Sequence, residues 1–440
     1  MSKHFWPGSL RISGRYDFQK HIKGERAVKM RILMVSNWLP PIRSGSAYYT
    51  SSLAESLIAR GHEVRVVTLD WQESCETKDV FPFTVYKLPV IRLPKLSLFY
   101  NLKRMGFAFT PGNFRKLKAL VREYQPDVLH HVNHIFDTTF LTTWVGRSAG
   151  IPVVGSITTP IQHQSFWKQR IFELADRITV GFFGVRHWNA IVSLDQTVHH
   201  YVGQVYGKKV QERSHVIPFG VPLESMPLYE NHQGLRSERP QILMVGHIHP
   251  FRNPAQLVRA MPAVLQAVPN ARLILAGRVD LQEPIKAAQA LGLKQDQIQF
   301  LEETPHDEII RLMKTSHVFA MWATGPYPSL GTATMEAMLC ETPAISNVPE
   351  NLFGDGKLRD RENILIVDTR DPAAIAQAII RLLKDKMLWS KIGAGGRCFV
   401  LDHLSWESIA IQMEKLYARV KLSQPCTNST SYKFPAQKSP

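Results

Sequence analysis

The chain has 440 residues, enough for two domains of ordinary size. Apolar residues at 44% and charged residues at 20% place it among globular proteins, and no apolar run reaches the roughly 18 residues that suggest a membrane-spanning helix. The net charge of +16 is concentrated in residues 1–29 (+5), 87–118 (+8) and 421–440 (+3); no module that reads nucleic acid carries it, so nucleic acid is not an expected partner.

Residues 1–29 show no period and read as a flexible extension. Met30 stands directly before the first convincing strand and is an alternative start. The N-terminus carries no hydrophobic region of the secretory kind. Cys75, Cys340, Cys398 and Cys426 are scattered, without metal-ligand spacing, and read as reduced thiols of a cytoplasmic protein.

In chain order, a strand at 31–36 is followed by a loop with Ser44-Gly45, a helix to about Arg60, a glycine stop at Gly61 and a strand at 63–68. That is a Rossmann-type β-loop-α-β unit. Further strands are predicted at 127–131, 152–157, 190–194 and 215–218. A polar stretch to Pro240 marks a domain boundary. A second strand-helix series has strands at 241–246, 272–276, 298–301, 317–321, 343–346 and 364–367. Asp371-Pro372 caps a helix with proline in the first turn, and residues 405–420 form a last amphipathic helix. Alternation of this kind predicts parallel sheets with helices on both faces. The predicted divisions are 1–29, 30–222, 240–400, 401–420 and a disordered tail at 421–440.

The most informative segment is 328–343, Pro-Ser-Leu-Gly-Thr-Ala-Thr-Met-Glu-Ala-Met-Leu-Cys-Glu-Thr-Pro. A loop of small residues, Ser329 to Ala333 (with Leu330, Gly331 and Thr332), enters a helix that carries Glu336. Backbone N–H groups at such a helix start can face phosphates, and a carboxylate one turn in can accept from ribose hydroxyls. Upstream, His247 and Arg252 lie in the loop after the strand at 241–246. A guanidinium clamps phosphate oxygens with two hydrogen bonds. His130, His131 and His134 crowd the C-terminal end of the strand at 127–131, where ligand-binding groups of parallel sheets belong. Zinc is the rival reading of that cluster, but no neighbouring Cys or carboxylate completes a ligand set. Gly393-Ala-Gly-Gly396 follows a helix, not a strand, and reads as structural. Asn428-Ser-Thr430 matches a glycosylation acceptor, in a tail with no secretion signal.

Glu336-Ala337-Met338, Cys340-Glu341-Thr342-Pro343, Gly331, the Gly45 loop with Leu53-Ala54, and Gly61-His62-Glu63-Val64 together resemble the retaining GT-B glycosyltransferases of family four. The resemblance spans about residues 30–420. It implies an α/β fold of two Rossmann-like doubly wound domains facing across a cleft, with the last helix crossing back onto the first domain. It implies sugar transfer, with retention at the anomeric carbon, from a UDP-, GDP- or ADP-sugar to a glycan, lipid or small-molecule acceptor, without metal or cofactor. Glu336 would hold the ribose. Gly45, His247, Arg252 and Ser329, Leu330, Gly331, Thr332 and Ala333 would hold the diphosphate. His131 or His134 would orient the sugar. Three positions depart from the family pattern: Pro328 stands where it has its first glutamate, His247 where it has arginine, and Glu341 where it has a turn glycine. The alternative they define is a catalytically weak or inactive GT-B-fold nucleotide-binding or regulatory protein. A sugar-nucleotide isomerase or hydrolase would need a poised carboxylate pair, and none is evident. Residues 87–118, with Phe99, Tyr100, Phe107, Phe109 and Phe114 among the basic side chains, suit either an anionic membrane, peripherally on its inner face, or an acceptor loop.

Overall fold

A computed structural model describes residues 28–42, 44–71, 81–93, 105–163, 165–221, 237–302, 304–325, 327–354 and 356–423. The expectations for the N-terminal extension and for most of the C-terminal tail fall outside them.

The first half runs β1 (Arg31–Ser36), α1 (Gly45–Ala59), β2 (Glu63–Asp70), β3 (Thr84–Pro89), a small hairpin of β4 (Ile91–Leu93) and β5 (Met105–Phe107), α2 (Pro111–Tyr124), β6 (Val128–Val132), α3 (Thr138–Ala149), β7 (Val153–Ile157), α4 (Phe166–Asp176), a π turn at Arg177–Gly181, β8 (Ala190–Ser193), α5 (Gln196–Tyr206), α6 (Lys208–Gln211) and β9 (Ser214–Val216). Apart from the hairpin, the strands form one parallel sheet in the order β3-β2-β1-β6-β7-β8-β9. Both its faces are buried. Ile32 and Met34 of β1 enter one core, and Leu33 and Val35 enter the other. That is why these strands read as unbroken apolar runs, without a polar face.

The second half runs β10 (Gln241–Val245), α7 (Ala255–Ala267), β11 (Arg272–Ala276), α8 (Glu283–Ala290), β12 (Ile298–Leu301), α9 (His306–Thr315), β13 (Val318–Ala320), α10 (Thr332–Leu339), β14 (Ala344–Ser346), β15 (Leu365–Ile366), α11 (Pro372–Lys384), α12 (Lys386–His403) and α13 (Trp406–Leu422). Its sheet is also parallel, in the order β12-β11-β10-β13-β14-β15. In each sheet the strand order reverses direction beside the first strand, between β1 and β6 and between β10 and β13. Crevices at such switch points, outside the carboxyl ends of the strands, are where open α/β sheets bind ligands.

α13 packs on the first sheet. Trp406, Ile409, Met413, Leu416 and Tyr417 share a core with Met30, Ile32, Tyr49 and Leu53. Polar contacts fix its register: Glu414 accepts from Arg60 at 2.5 and 2.8 Å and contacts His62 Nε2 at 2.8 Å. Lys421 reaches Asp127 at 2.8 Å, inside the stretch where a disordered tail is expected from sequence.

Gly393, Gly395 and Gly396 lie inside α12, not after a helix as the sequence suggests. They let α12 rest on neighbouring backbone. A Cβ built on Gly393 would come within 2.6 Å of the Glu341 carbonyl, one on Gly396 would come within 3.0 Å of the Asn363 carbonyl, and one on Gly395 would collide with that of Glu362. Their role is close packing, the structural reading.

Candidate active site

The second-domain crevice is built from β10, β13 and α10. Gly246 follows β10 with φ +144, and Gly277 follows β11 with φ +143, conformations that favour glycine. A Cβ on Gly246 would lie 3.3 Å from Arg252 Nη1 and 3.8 Å from Met321 Sδ, and one on Gly331 would collide with Met321 Cε. Met321, at the end of β13, therefore sits between the turn that carries Arg252 and the start of α10.

The Arg252 backbone N–H closes a tight turn onto the His249 carbonyl at 2.7 Å. Its guanidinium, by contrast, has no hydrogen-bond or ion-pair partner among the described residues, and burial draws its pKa down. At the start of α10, the N–H groups of Gly331, Thr332 and Ala333 also donate to nothing among the described residues, and Gly331 supplies no capping side chain. A cation and a row of free amides beside one crevice can take an anion. The Thr334 hydroxyl in the first turn of α10 and Asn347 Oδ1 after β14 are buried without partners. Buried polar groups without partners are uncommon, and a bound molecule is one source of the missing bonds.

Of the residues read from sequence, Ser329 and Thr332 are exposed, while the Leu330 side chain is packed into the core, so that only its backbone is available. His247 is exposed on the same loop as Arg252. Gly45 is exposed as the first residue of α1, with open space where a Cβ would stand; the fold itself does not demand glycine there. Pro328 directly follows Tyr327, which is plugged into the first domain. The Tyr327 hydroxyl donates to Gln204 at 3.1 Å and Glu173 at 3.3 Å, and its ring stands edge-on to Tyr201 at 5.3 Å. The loop leading to α10 is thus anchored across the two domains.

Glu336 accepts from His306 Nε2 at 3.2 Å. His306 opens α9, beyond the C-terminal end of β12, and sequence reasoning missed it because no local pattern links positions 30 residues apart. The Glu336 carboxylate holds the His306 pKa above its ordinary 6.5. A raised histidine pKa stabilises the pair fully below 6.5, and that stabilisation is lost as pH rises through the folded-state value. An NMR titration should find His306 titrating above 6.5 in the intact protein and falling back toward it in Glu336→Gln. His249, also missed, is pushed down to about 4 by burial and by the Arg252 charge, so it is neutral and accepts from the Phe251 N–H.

His130, His131 and His134 of the first domain are all fully buried. Strand alternation sends His130 to one side of the sheet, where its ring bonds Ser156 and Tyr417, each at 2.7 Å. It sends His131 to the other, where Nδ1 meets Thr142 at 3.2 Å, and Nε2 meets Thr139 at 2.9 Å and the Asn133 carbonyl at 3.1 Å. Burial pushes both rings down to about 3. Both ring nitrogens of His131 are thus engaged within the fold, so a role toward a sugar would require exchanging one of these bonds. His134 is fully buried, with both ring nitrogens lacking a hydrogen bond, beside Asp176 at 3.9 Å. Asp176 takes the hydroxyls of Tyr201 and Tyr206 on Oδ2. A carboxylate thus does approach this cluster, from 42 residues along the chain. Among the described residues, however, no group of three His, Cys, Asp or Glu side chains is placed to hold a metal ion.

Glu341 occupies the left-handed position that ends α10, at φ +57, and the Thr342 N–H returns to the Ala337 carbonyl at 3.0 Å. Glycine there avoids the strain of a side chain. Glu341→Gly should stabilise the second domain by about 0.5–1 kcal/mol, the strain relieved less the unfolded-state entropy that glycine adds. The midpoint of chemical denaturation reads the change.

The basic stretch at 87–118 spans β3, the β4-β5 hairpin and much of α2; residues 94–104, with Phe99 and Tyr100, lie outside the described residues. Phe114 packs against the core, whereas Phe107 and Phe109 remain exposed. Among the described residues no helix is long and apolar enough to cross a membrane.

Two parallel α/β domains, each with its crevice at the strand-order switch, define the GT-B fold. Residues 43–225 match the model of Glycosyltransferase Family 4, and residues 226–398 match that of Glycosyl transferases group 1. The chain belongs to this glycosyltransferase family. It is 25% identical over 400 residues to a phosphatidyl-myo-inositol mannosyltransferase of Mycobacterium leprae, covering 90% of this chain and 98% of that one. To a GDP-mannose-dependent alpha-(1-6)-phosphatidylinositol monomannoside mannosyltransferase of Mycolicibacterium smegmatis it is 22% identical, covering 88% and 97%. The fold superposes on sucrose-phosphate synthase of Thermosynechococcus elongatus with a TM-score of 0.67 at 22% identity, covering 89% and 99%. It superposes on Anabaena HepE in complex with UDP and glucose with a TM-score of 0.63 at 17% identity, covering 89% and 100%.

Proposed function

We propose that this glycosyltransferase takes its sugar from a nucleoside-diphosphate sugar held on the second domain and transfers it with retention of anomeric configuration. The observation that carries the reading is the set of unspent groups at the β10–β13 crevice: the Arg252 guanidinium and the N–H groups of Gly331, Thr332 and Ala333. In this reading the diphosphate lies against those amides, and Arg252 offsets the charge that grows on the leaving phosphate. Glu336 exchanges His306 for ribose hydroxyls. His247 and Ser329 line the mouth, and Leu330 and Gly45 contribute backbone only.

The reading needs no metal, because fixed N–H dipoles and a guanidinium supply the electrostatic stabilisation. Retention follows if the acceptor attacks on the leaving-group face, steered by the departing phosphate, without a protein nucleophile. His134 and Asp176 act from behind Tyr201 and Tyr327, as positioning groups for the loop that contains Pro328. GDP-sugars are the first donors to test, because the M. smegmatis relative is named for GDP-mannose, and phosphatidylinositol is the first acceptor.

Incubation with GDP-, UDP- and ADP-sugars, followed by assay of nucleoside diphosphate release, tests the reading. Release should depend on one nucleotide and rise with acceptor, and the product's anomeric proton should match the donor configuration by NMR. Binding of a nucleotide without release from any donor would leave a binding protein instead.

A further inference from the structure

The outward face of α4 is inverted relative to an ordinary surface helix. Its inward positions include the polar Gln169 and Asp176, both buried. Trp167, Ile171, Leu174, Ile178 and Phe182, at helical spacing through the π turn, point to solvent. Trp167 is 76% exposed, and Ile171, Leu174 and Ile178 are each more than half exposed. A contiguous apolar stripe of this kind has a partner.

The charges around the stripe have one sign. Between residues 144 and 187 the basic residues are Arg147, Lys168, Arg170, Arg177 and Arg186, and the acidic ones are Glu173 and Asp176. Asp176 is buried, and the Glu173 carboxylate contacts Gln169, Arg170 and Tyr327. All five cations are exposed. Arg170 lies 5.4 Å from the Phe166 ring centroid, and Arg186 lies 3.6 Å from that of Phe182. Next to the stripe a cleft of about 270 Å³ is lined by Trp144, Arg147, Phe182, Phe183, Arg186 and His187. Arg147 and Arg186 both contact His187 there, with no carboxylate partner among the described residues. Ring contacts from Phe183 to Phe140 and from Phe140 to Phe109 join this face to the basic β4-β5 region.

We infer that the face formed by α4, the π turn and the adjoining cleft is an interfacial membrane-docking surface that seats on an anionic lipid bilayer. Trp167, Ile171, Leu174 and Ile178 enter the boundary between headgroups and acyl chains, and the flanking arginines and Lys168 take lipid phosphates. This assignment is independent of the donor site and places the main apolar contact outside residues 87–118.

The test is flotation of the intact chain with vesicles of pure phosphatidylcholine, and of equal parts phosphatidylcholine and phosphatidylglycerol, at low salt and at about 0.5 M salt, where exposed charges are screened. The protein should float with the mixed vesicles and retain part of its binding in high salt, with tryptophan emission shifted to the blue. Trp167→Ser/Ile171→Ser/Ile178→Ser should lower partition at least about tenfold at both salt concentrations. Its circular dichroism melt should be unchanged, since the three side chains are exposed. Arg170→Gln/Arg177→Gln should weaken binding chiefly at low salt. Equal partition of the intact protein and the triple variant in high salt overturns the assignment. So does a dimer, seen by sedimentation without lipid, that the triple variant dissociates, since a second copy would then be the occupant.

Discussion

Arg252→Gln is expected to weaken binding of the cognate nucleoside diphosphate by about 10- to 150-fold, the loss that accompanies one charge-assisted contact of about 1.5–3 kcal/mol. The guanidinium is not spent on the fold, because it has no hydrogen-bond or ion-pair partner among the described residues. It is half-buried beside the Gly246 turn, and its charge is already strong enough to help push His249 down to about 4. A cation held in that state is ready for an anion. The same geometry makes stability the control, since removing a partly desolvated charge without a partner should leave stability unchanged or raise it slightly. Arg252→Lys should recover part of the affinity, because an ammonium is a point charge and lacks the paired donors of a guanidinium. Calorimetry reads the affinity and thermal unfolding the stability. Affinity that survives Arg252→Gln would place the diphosphate elsewhere.

The second large effect is on folding. Glu414→Ala should destabilise the seating of α13 on the first domain by about 3 kcal/mol, near the low end for breaking a buried ion pair. Glu414 is 4% exposed and takes two hydrogen bonds from Arg60 and one from His62. The tautomer is set from the other side, because His62 Nδ1 accepts from the Met30 N–H at 3.2 Å, leaving Nε2–H to donate to the carboxylate. Without Glu414 the His62 N–H is left buried and unpaired. The Arg60 side chain, 18% exposed, can recover some water, which keeps the loss below the upper end of the range. α13 closes one face of the first sheet, so its release exposes Met30, Ile32, Met34 and Leu53. Hydrogen exchange should show lost protection in α13 and β1 together. Lys421→Ala removes a partly exposed pair with Asp127 and should change stability by about 1 kcal/mol or less.

The two sheets were legible in the sequence because their central strands are buried on both faces and read as apolar runs. β3 escaped notice. It is an edge strand that ends in proline, and its Lys87 reads as part of a basic surface. The start of α10 and the place of Glu336 in it were legible because a run of small residues entering a helix is a local pattern. The histidines at the end of β6 were legible as a cluster but not in their environment. Whether His130 faces Tyr417, or His131 faces Thr139, depends on elements that meet only in the folded chain. The same holds for His306 on Glu336, for Asp176 beside His134 and for Tyr327 against Tyr201. The outward stripe of α4 was hidden for a different reason. An amphipathic period shows that a helix has two faces but not which one the fold buries, and here the polar positions are inside.

The most direct test of the donor-site account is a crystal structure of the intact chain soaked with GDP, UDP or ADP. One diphosphate should span the Arg252 guanidinium and the N–H groups of Gly331 to Ala333, with ribose hydroxyls on Glu336 and His306 turned away from it. A nucleotide bound at another crevice, or one at α10 with His306 still bonded to Glu336 and Arg252 untouched, would contradict it.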